Sequence, residues 1–248
     1  MTAEIIRLEK ISKRFGGKVA LEGVDLSLME GEVLGLIGDN GAGKSTLLKI
    51  LSGAIPADEG AVYLGGKKVA VKSPHHSRRL GIEMVYQDLS LCRNLSLWEN
   101  MFLGRLRTYP VGPKWSPLLN KKEMRQRAAE TLRTIGIHLA DMNRPAHTLS
   151  GGEQQAVAIS RCLLFRPRVI LLDEPTASMA LWEKQKILAL IRELKGQGRA
   201  LIMVTHNLQD LFQVADRVLV LKEGRRIWCG PLTGKTPEDL AQMMFAGV

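Results

Sequence analysis

The chain has 248 residues, 45% hydrophobic and 24% charged, which is enough to bury a core without staples and excludes a disordered or fibrous chain. Cys92, Cys162 and Cys229 lie far apart with no CxxC pair, which argues against a disulfide framework or thiolate metal centre and suits a reducing compartment. The formal charge of +10 favours anionic partners such as nucleotides, nucleic acid or a phospholipid surface, and serves solubility equally well.

Charges at Glu4, Arg7, Glu9 and Lys10 interrupt any apolar stretch of signal-peptide length, so no export signal is expected. No window holds the roughly 18 consecutive apolar residues of a membrane span, so any membrane step is expected to belong to a partner. Glu4 to Phe15 and Val19 to Leu28 alternate apolar and polar residues around a Gly16-Gly17 turn, the pattern of half-exposed antiparallel strands. Val33 to Ile37, Ile82 to Tyr86, Val169 to Leu172 and Ala200 to Val204 read as short strands, most of them apolar runs of the buried parallel kind. Between them the spacing predicts helices at Lys44 to Leu51, Lys121 to Ile135, Glu153 to Phe165 and Leu181 to Leu194. Strands alternating with helices predict an α/β fold, with an N-terminal antiparallel β subdomain and a helical insertion. The expected organisation is one domain over 1–248, its α/β core at about 1–88 and 159–248 and its helical subdomain at about 89–158. Within the insertion, Tyr109 to Pro117 holds three prolines and a glycine and is expected to be a loop.

Gly38, Asp39, Asn40, Gly41, Ala42, Gly43, Lys44, Ser45 and Thr46 contain GxxxxGK[ST] between the Val33 strand and an apolar helix, the context that confirms a P-loop. Glycines let successive N–H groups point inward, and the following helix adds its positive end, so phosphate oxygens meet donors. Lys44 is expected to reach the β and γ phosphates, Ser45 to hold Mg²⁺, and Thr46 to touch the α phosphate. A P-loop alone specifies only a nucleoside triphosphate.

The apolar run Val169 to Leu172 ends in Asp173 and Glu174, and such a pair costs free energy unless something satisfies it. Mg²⁺ bound to phosphate is a sufficient partner. Asp173 is expected to support the metal through its water shell, and Glu174 to orient and polarise the attacking water.

Thr148-Leu149-Ser150-Gly151-Gly152-Glu153-Gln154-Gln155 stands between the P-loop and the carboxylates, and the joint pattern resembles that of ABC ATPases, over Phe15 to His206. Ser150 supplies a hydroxyl, and Gly151 and Gly152 supply N–H groups at a helix start that Glu153 continues, again an anion-binding arrangement. The resemblance implies a P-loop NTPase core and a head-to-tail homodimer, with two ATP molecules between one P-loop and the opposite signature. It also implies roles for three further residues: Gln87 as a loop glutamine sensing Mg²⁺ and water, His206 as a switch histidine on the γ phosphate, and Phe15 as the aromatic stacking on adenine. Taken singly, Gln87 reads as an ordinary polar loop residue, His206 as a structural or solvated histidine, and Phe15 as core. His75, His76, His138 and His147 form no ligand spacing and are expected at the surface. Most members carry an interface Asp after Glu-Pro-Thr where this chain has Ala180. That difference leaves open looser coupling of the two ATP sites.

Phe15 to Val24, Val85 to Leu91 and Asn94 to Arg105 resemble bacterial sugar importers of the ribose, xylose and fructose type, in their single-domain form. The resemblance implies two transmembrane permease subunits, an extracytoplasmic sugar-binding protein reached indirectly, and a peripheral location on the cytoplasmic face of the cell membrane, with no nucleic acid expected. Gln87 to Gly104 is the expected permease-facing surface, with Leu91, Leu95 and Trp98 either seating a coupling helix or filling the subdomain's core. Two readings stay open beside import: a soluble ABC ATPase acting on ribosomes or DNA, and a module that binds ATP without useful turnover.

Overall fold

The computed structural model describes residues 3–88, 91–106, 118–134, 141–177 and 179–246. The loop expected at Tyr109 to Pro117, the Ile135 end of one helix and His138 lie outside the described residues.

Alternation of apolar and polar side chains carries through β1 (Glu4–Phe15) and β2 (Lys18–Met29), which pair antiparallel across the Gly16-Gly17 turn. The buried stripe is Ile6, Leu8 and Ile11 on β1 with Leu21, Val24, Leu26 and Leu28 on β2, as period-two patterning requires. Next come β3 (Val33–Ile37) and α1 (Lys44–Leu51), both with the bounds read from sequence. They are followed by β4 (Glu59–Leu64), β5 (Lys67–Val69), α2 (Pro74–Arg79) and β6 (Ile82–Val85). After the insertion, with α3 (Leu97–Phe102), α4 (Lys121–Thr134) and α5 (Gly151–Leu163), the chain runs through β7 (Val169–Asp173), α6 (Leu181–Gly196), β8 (Ala200–Val204) and α7 (Leu208–Phe212). It closes with β9 (Arg217–Lys222), β10 (Arg225–Pro231) and α8 (Pro237–Ala246).

The backbone divides into two units, Met1–Gln87 with Pro167–Val248, and Asp88–Arg166. In the first, β2-β1-β4-β5 form an antiparallel sheet and β10-β9-β3-β8-β7-β6 a mainly parallel one with an antiparallel edge strand. Every residue of β3, β7 and β8 is buried, the condition of parallel strands covered on both faces. One cluster joins Leu26 and Leu28 of β2 to Leu36 and to Leu47 and Leu48 of α1. A second, with Ile37, Leu211, Val218, Val220 and Leu240, brings α7 and α8 onto the parallel sheet. Among the described residues no helix is long and apolar enough to cross a membrane.

The second unit has its own core, in which Leu97, Trp98, Met101 and Phe102 of α3 meet Met124, Ala128 and Leu132 of α4 and Val157 of α5. Leu164 and Phe165 belong to it, with the Phe165 ring edge-on to Phe102 at 6.4 Å between centroids. The insertion therefore runs through α5 to Arg166, whereas the sequence reading ended it at 158, inside that helix. Trp98 is only 4% exposed and Leu91 packs against the same cluster. Of the two readings open for Trp98 the core one holds: burying so large a ring stabilises the unit by about 2 kcal/mol or more and leaves little indole surface for a partner.

Candidate functional site

Four parallel strands end at one rim. With the order β3-β8-β7-β6, the P-loop after β3, His206 after β8, Asp173 and Glu174 at the end of β7, and Gln87 after β6 converge beyond the carboxyl ends, where open α/β sheets bind ligands. Together Asn40–Thr46, Gln87, Asp173, Glu174, Val204 and His206 line a cavity of about 640 Å³, within the range of small-molecule sites.

The P-loop's shape depends on residues that lack a side chain. Gly38 has φ +149°, and a Cβ there would lie 2.1 Å from the Leu221 carbonyl oxygen; Gly43 has φ +104°, and its Cβ would lie 2.6 Å from the Ala20 carbonyl oxygen. Neither position accepts another residue without moving backbone. Lys44 Nζ donates to the carbonyls of Gly38 at 2.6 Å and Asp39 at 2.8 Å, closing the loop on itself and turning those oxygens away from an anion. Gly43 precedes α1 without a side-chain cap, so the first N–H groups of the helix are left for an anion.

Burial and charge set the protonation of this rim. Burial lowers the Lys44 ammonium below its usual value, opposed by the nearby carboxylates of Glu174, Asp39 and Asp173. Burial raises the Asp173 carboxyl, and the charge of Glu174 adds to the rise, against a hydrogen bond from Ser45 and the charges of Lys49 and Lys44. Two crowded carboxylates beside a serine hydroxyl form a donor set that suits Mg²⁺, an ion held by few protein carboxylates and otherwise by phosphate and water. Among the described residues no cluster of three or more His, Cys, Asp or Glu could hold a metal alone, so the fit requires oxygens from a phosphate. Glu174 takes a left-handed conformation, φ +53°, a strain of about 1–3 kcal/mol of the kind concentrated at functional sites. Its N–H donates to the Val204 carbonyl at 2.9 Å, and its carboxylate lies 2.8 Å from Nδ1 of His206, whose imidazole is 73% exposed.

Phe15 sits at the end of β1 with half its surface exposed and Lys13 Nζ 5.5 Å from its ring centroid. It does not line the cavity. Ser150 caps α5: its Oγ accepts from Glu153 N at 3.3 Å and Glu153 Oε2 accepts from Ser150 N at 2.8 Å, a reciprocal capping box. This cap begins the helix at Gly151, two residues before the Glu153 start expected from sequence. A Cβ on Gly151 would meet nothing within 4 Å, so the open helix start, not crowding within the chain, distinguishes that glycine. His75 and His147 are exposed, and His76 is half-buried. Ala180 is the N-cap of α6 and provides no side-chain cap. No sequence pattern singled out Asp210, which is buried on α7 and accepts from Thr176 Oγ1 at 2.8 Å; only its place three residues after the helix-capping Asn207 could have marked it.

A family profile described as "ABC transporter" matches residues 21–177. The xylose/arabinose import ATP-binding protein of Sulfolobus acidocaldarius is 40% identical over 242 residues, covering 98% of this chain and 94% of that protein. The galactofuranose transporter ATP-binding protein of Escherichia coli K12 is 42% identical over 242 residues, but the chain spans only 47% of it. Among solved structures, the ADP conformation of an ATP-binding cassette of an ABC transporter superposes with TM-score 0.82 at 32% identity, over 98% of this chain and 95% of that one. A dimeric bacterial ABC transporter cassette superposes with TM-score 0.77 at 29% identity, over 93% and 100%.

Proposed function

From the premise that this chain belongs to the ABC transporter family, we infer that it is the ATP-hydrolysing subunit of a membrane importer whose solute is a sugar. The observation that carries this reading is the single cavity in which the P-loop, Gln87, Asp173, Glu174 and His206 meet. The protein is an ATPase, and its relatives, import ATP-binding subunits, leave the ribosome or DNA reading without support.

Each residue's part follows from its place. The N–H groups of the Gly38–Thr46 loop and the α1 N-terminus hold the phosphates of ATP, and Lys44, with two of its three donors on Gly38 and Asp39, directs the third to the β and γ phosphates. Ser45 and Asp173, with Gln87 beside them, would hold Mg²⁺, which supplies charge neutralisation between the phosphates. Glu174 accepts a proton from the water in line with the γ phosphate, and His206, now against Glu174 Oε2 at 2.8 Å, donates to the γ phosphate and keeps Glu174 aimed. Phe15, half exposed at the end of β1, offers its ring to adenine.

The second half of the site comes from another copy. Ser150, Gly151 and Gly152 present a capped, open helix start, and in a head-to-tail homodimer they meet the γ phosphate held by the partner's P-loop. Closure of that dimer is the motion passed to two permease subunits on the cytoplasmic face of the membrane, with a sugar-binding protein delivering solute on the other side. Co-expressed with a candidate sugar permease, the tagged chain is expected to co-purify with two transmembrane subunits and to hydrolyse ATP faster when binding protein and sugar are added. Recovery of ribosomes or DNA instead contradicts the assignment.

A further inference from the structure

We infer that Asp210 is a positioning residue for hydrolysis, one buried residue that holds the loop carrying Glu174 through its carboxylate and the loop carrying His206 through its backbone N–H. This rests on the roles of Glu174 and His206 given above. Asp210 is 5% exposed on α7. Its Oδ2 accepts from Thr176 Oγ1 at 2.8 Å and faces Lys184 Nζ of α6 at 3.6 Å. Its backbone N–H donates to Asn207 Oδ1 at 3.1 Å, and Asn207 N–H in turn donates to Thr205 Oγ1 at 3.0 Å. Thr176 and Thr205 are both buried, at 2% and 1%.

Neither of the two loops joined in this way fixes its catalytic side chain by its own packing. Glu174 stands at φ +53°, a conformation that persists only where its surroundings over-determine it. Backbone bonds from Glu174 N to Val204 O and from Ala177 N to Glu174 O hold one part of the turn; Thr176, two residues on, is held through its hydroxyl by Asp210. His206 has a side chain 73% exposed, so packing does not orient it. Its neighbour Asn207 is fixed instead by the cap it forms on the α7 N-terminus, at Asp210 itself. A carboxylate buried this deeply is costly unless it is paired and hydrogen-bonded, and Lys184 and Thr176 supply both. Asp210 therefore holds Thr176 through its carboxylate and Asn207 through its backbone N–H, and so helps set the separation of two residues that stand 2.8 Å apart at Glu174 Oε2 and His206 Nδ1.

The test uses the full chain with saturating Mg-ATP. Asp210→Asn and Thr176→Val are each expected to lower kcat about 10-fold with KM for ATP within about twofold, because misplacing catalytic groups costs rate more than ground-state binding. Thr176→Ser, which keeps the hydroxyl, is expected to stay near wild type. In a His206→Ala background Asp210→Asn is expected to add less than about twofold, since residues acting as a unit are not additive. A lowered Tm with unchanged kcat in both variants, or a full further loss in the His206→Ala background, overturns the inference. Should Asp210→Asn fail to fold, Thr176→Val with its Ser control carries the same comparison. Wild-type rates in Glu174→Gln and His206→Ala would instead remove the reading on which the inference rests.

Discussion

Replacing Glu174 with glutamine is expected to lower ATP turnover by about 10²–10⁴-fold, the range lost when a positioned proton acceptor is removed. KM for ATP should change little. The amide keeps the volume and one acceptor of the carboxylate, so the left-handed turn at residue 174 and the backbone bond to Val204 persist, and the variant differs in its inability to take a proton. Removing the Glu174 charge relieves Asp173, which that charge raises, but also takes one negative charge from beside the metal, so the two effects oppose and little change in Mg-ATP affinity is expected. Single-turnover quench measurements beside equilibrium binding separate the effects. Turnover equal to wild type would take Glu174 out of the chemistry and revive the reading of a chain that binds ATP without useful turnover.

Asp173→Asn is expected to act in opposite directions on the bare protein and on its complex. Burial and Glu174 hold the Asp173 carboxyl above the ordinary carboxylate value of 3.8. As pH rises from 3.8 toward that higher folded value, the unfolded chain has lost its proton while the folded chain still holds one, so this group's contribution to stability falls, and above the folded value the cost of the ionised group is fully present. Asp58 and Glu99 are shifted down by hydrogen bonds and contribute with the reverse sign, so the informative quantity is the difference between wild type and variant across pH. Without nucleotide, Asp173→Asn is therefore expected to raise Tm near neutral pH, with a gain that builds as pH rises above 3.8, the ordinary carboxylate value, and is absent below it. With Mg-ATP the order inverts: a ligand at 100 times its Kd stabilises by about 2.7 kcal/mol, and the variant should lose most of the Mg²⁺-dependent part of that. Thermal denaturation with ATP plus EDTA against ATP plus Mg²⁺ reads this directly. A variant less stable than wild type without ligand, or stabilised equally by Mg-ATP, contradicts the role given to this carboxylate.

Much of the site was legible because its chemistry is local. The Gly38–Thr46 loop lies between β3 and α1, whose bounds coincide with those read from hydrophobic pattern, and Asp173 closes β7 where an apolar run meets a charge. What escaped was non-local or ambiguous. β9, whose apolar run is the four residues Val218 to Leu221, could not be told from a short buried helix by periodicity, and the three-residue β5 exists through its pairing with β4. Trp98 carries no mark in sequence to distinguish a docking ring from a core ring; its burial follows from how α3, α4 and α5 pack. Asp210 is read as positioning only once Thr176, 34 residues away, is found on its carboxylate. The start of α5 was misjudged because glycines weigh against a helix, whereas the Ser150–Glu153 box fixes it.

A site shared between two copies is the centre of the mechanism. Light scattering on Glu174→Gln, with and without Mg-ATP, measures this. We predict a mass near 27.4 kDa without nucleotide and about twice that with it, and the increase should vanish when Ser150 is replaced by a bulky acidic residue that repels phosphate. A mass that stays at one copy in saturating Mg-ATP, alone and with the permease present, would contradict it.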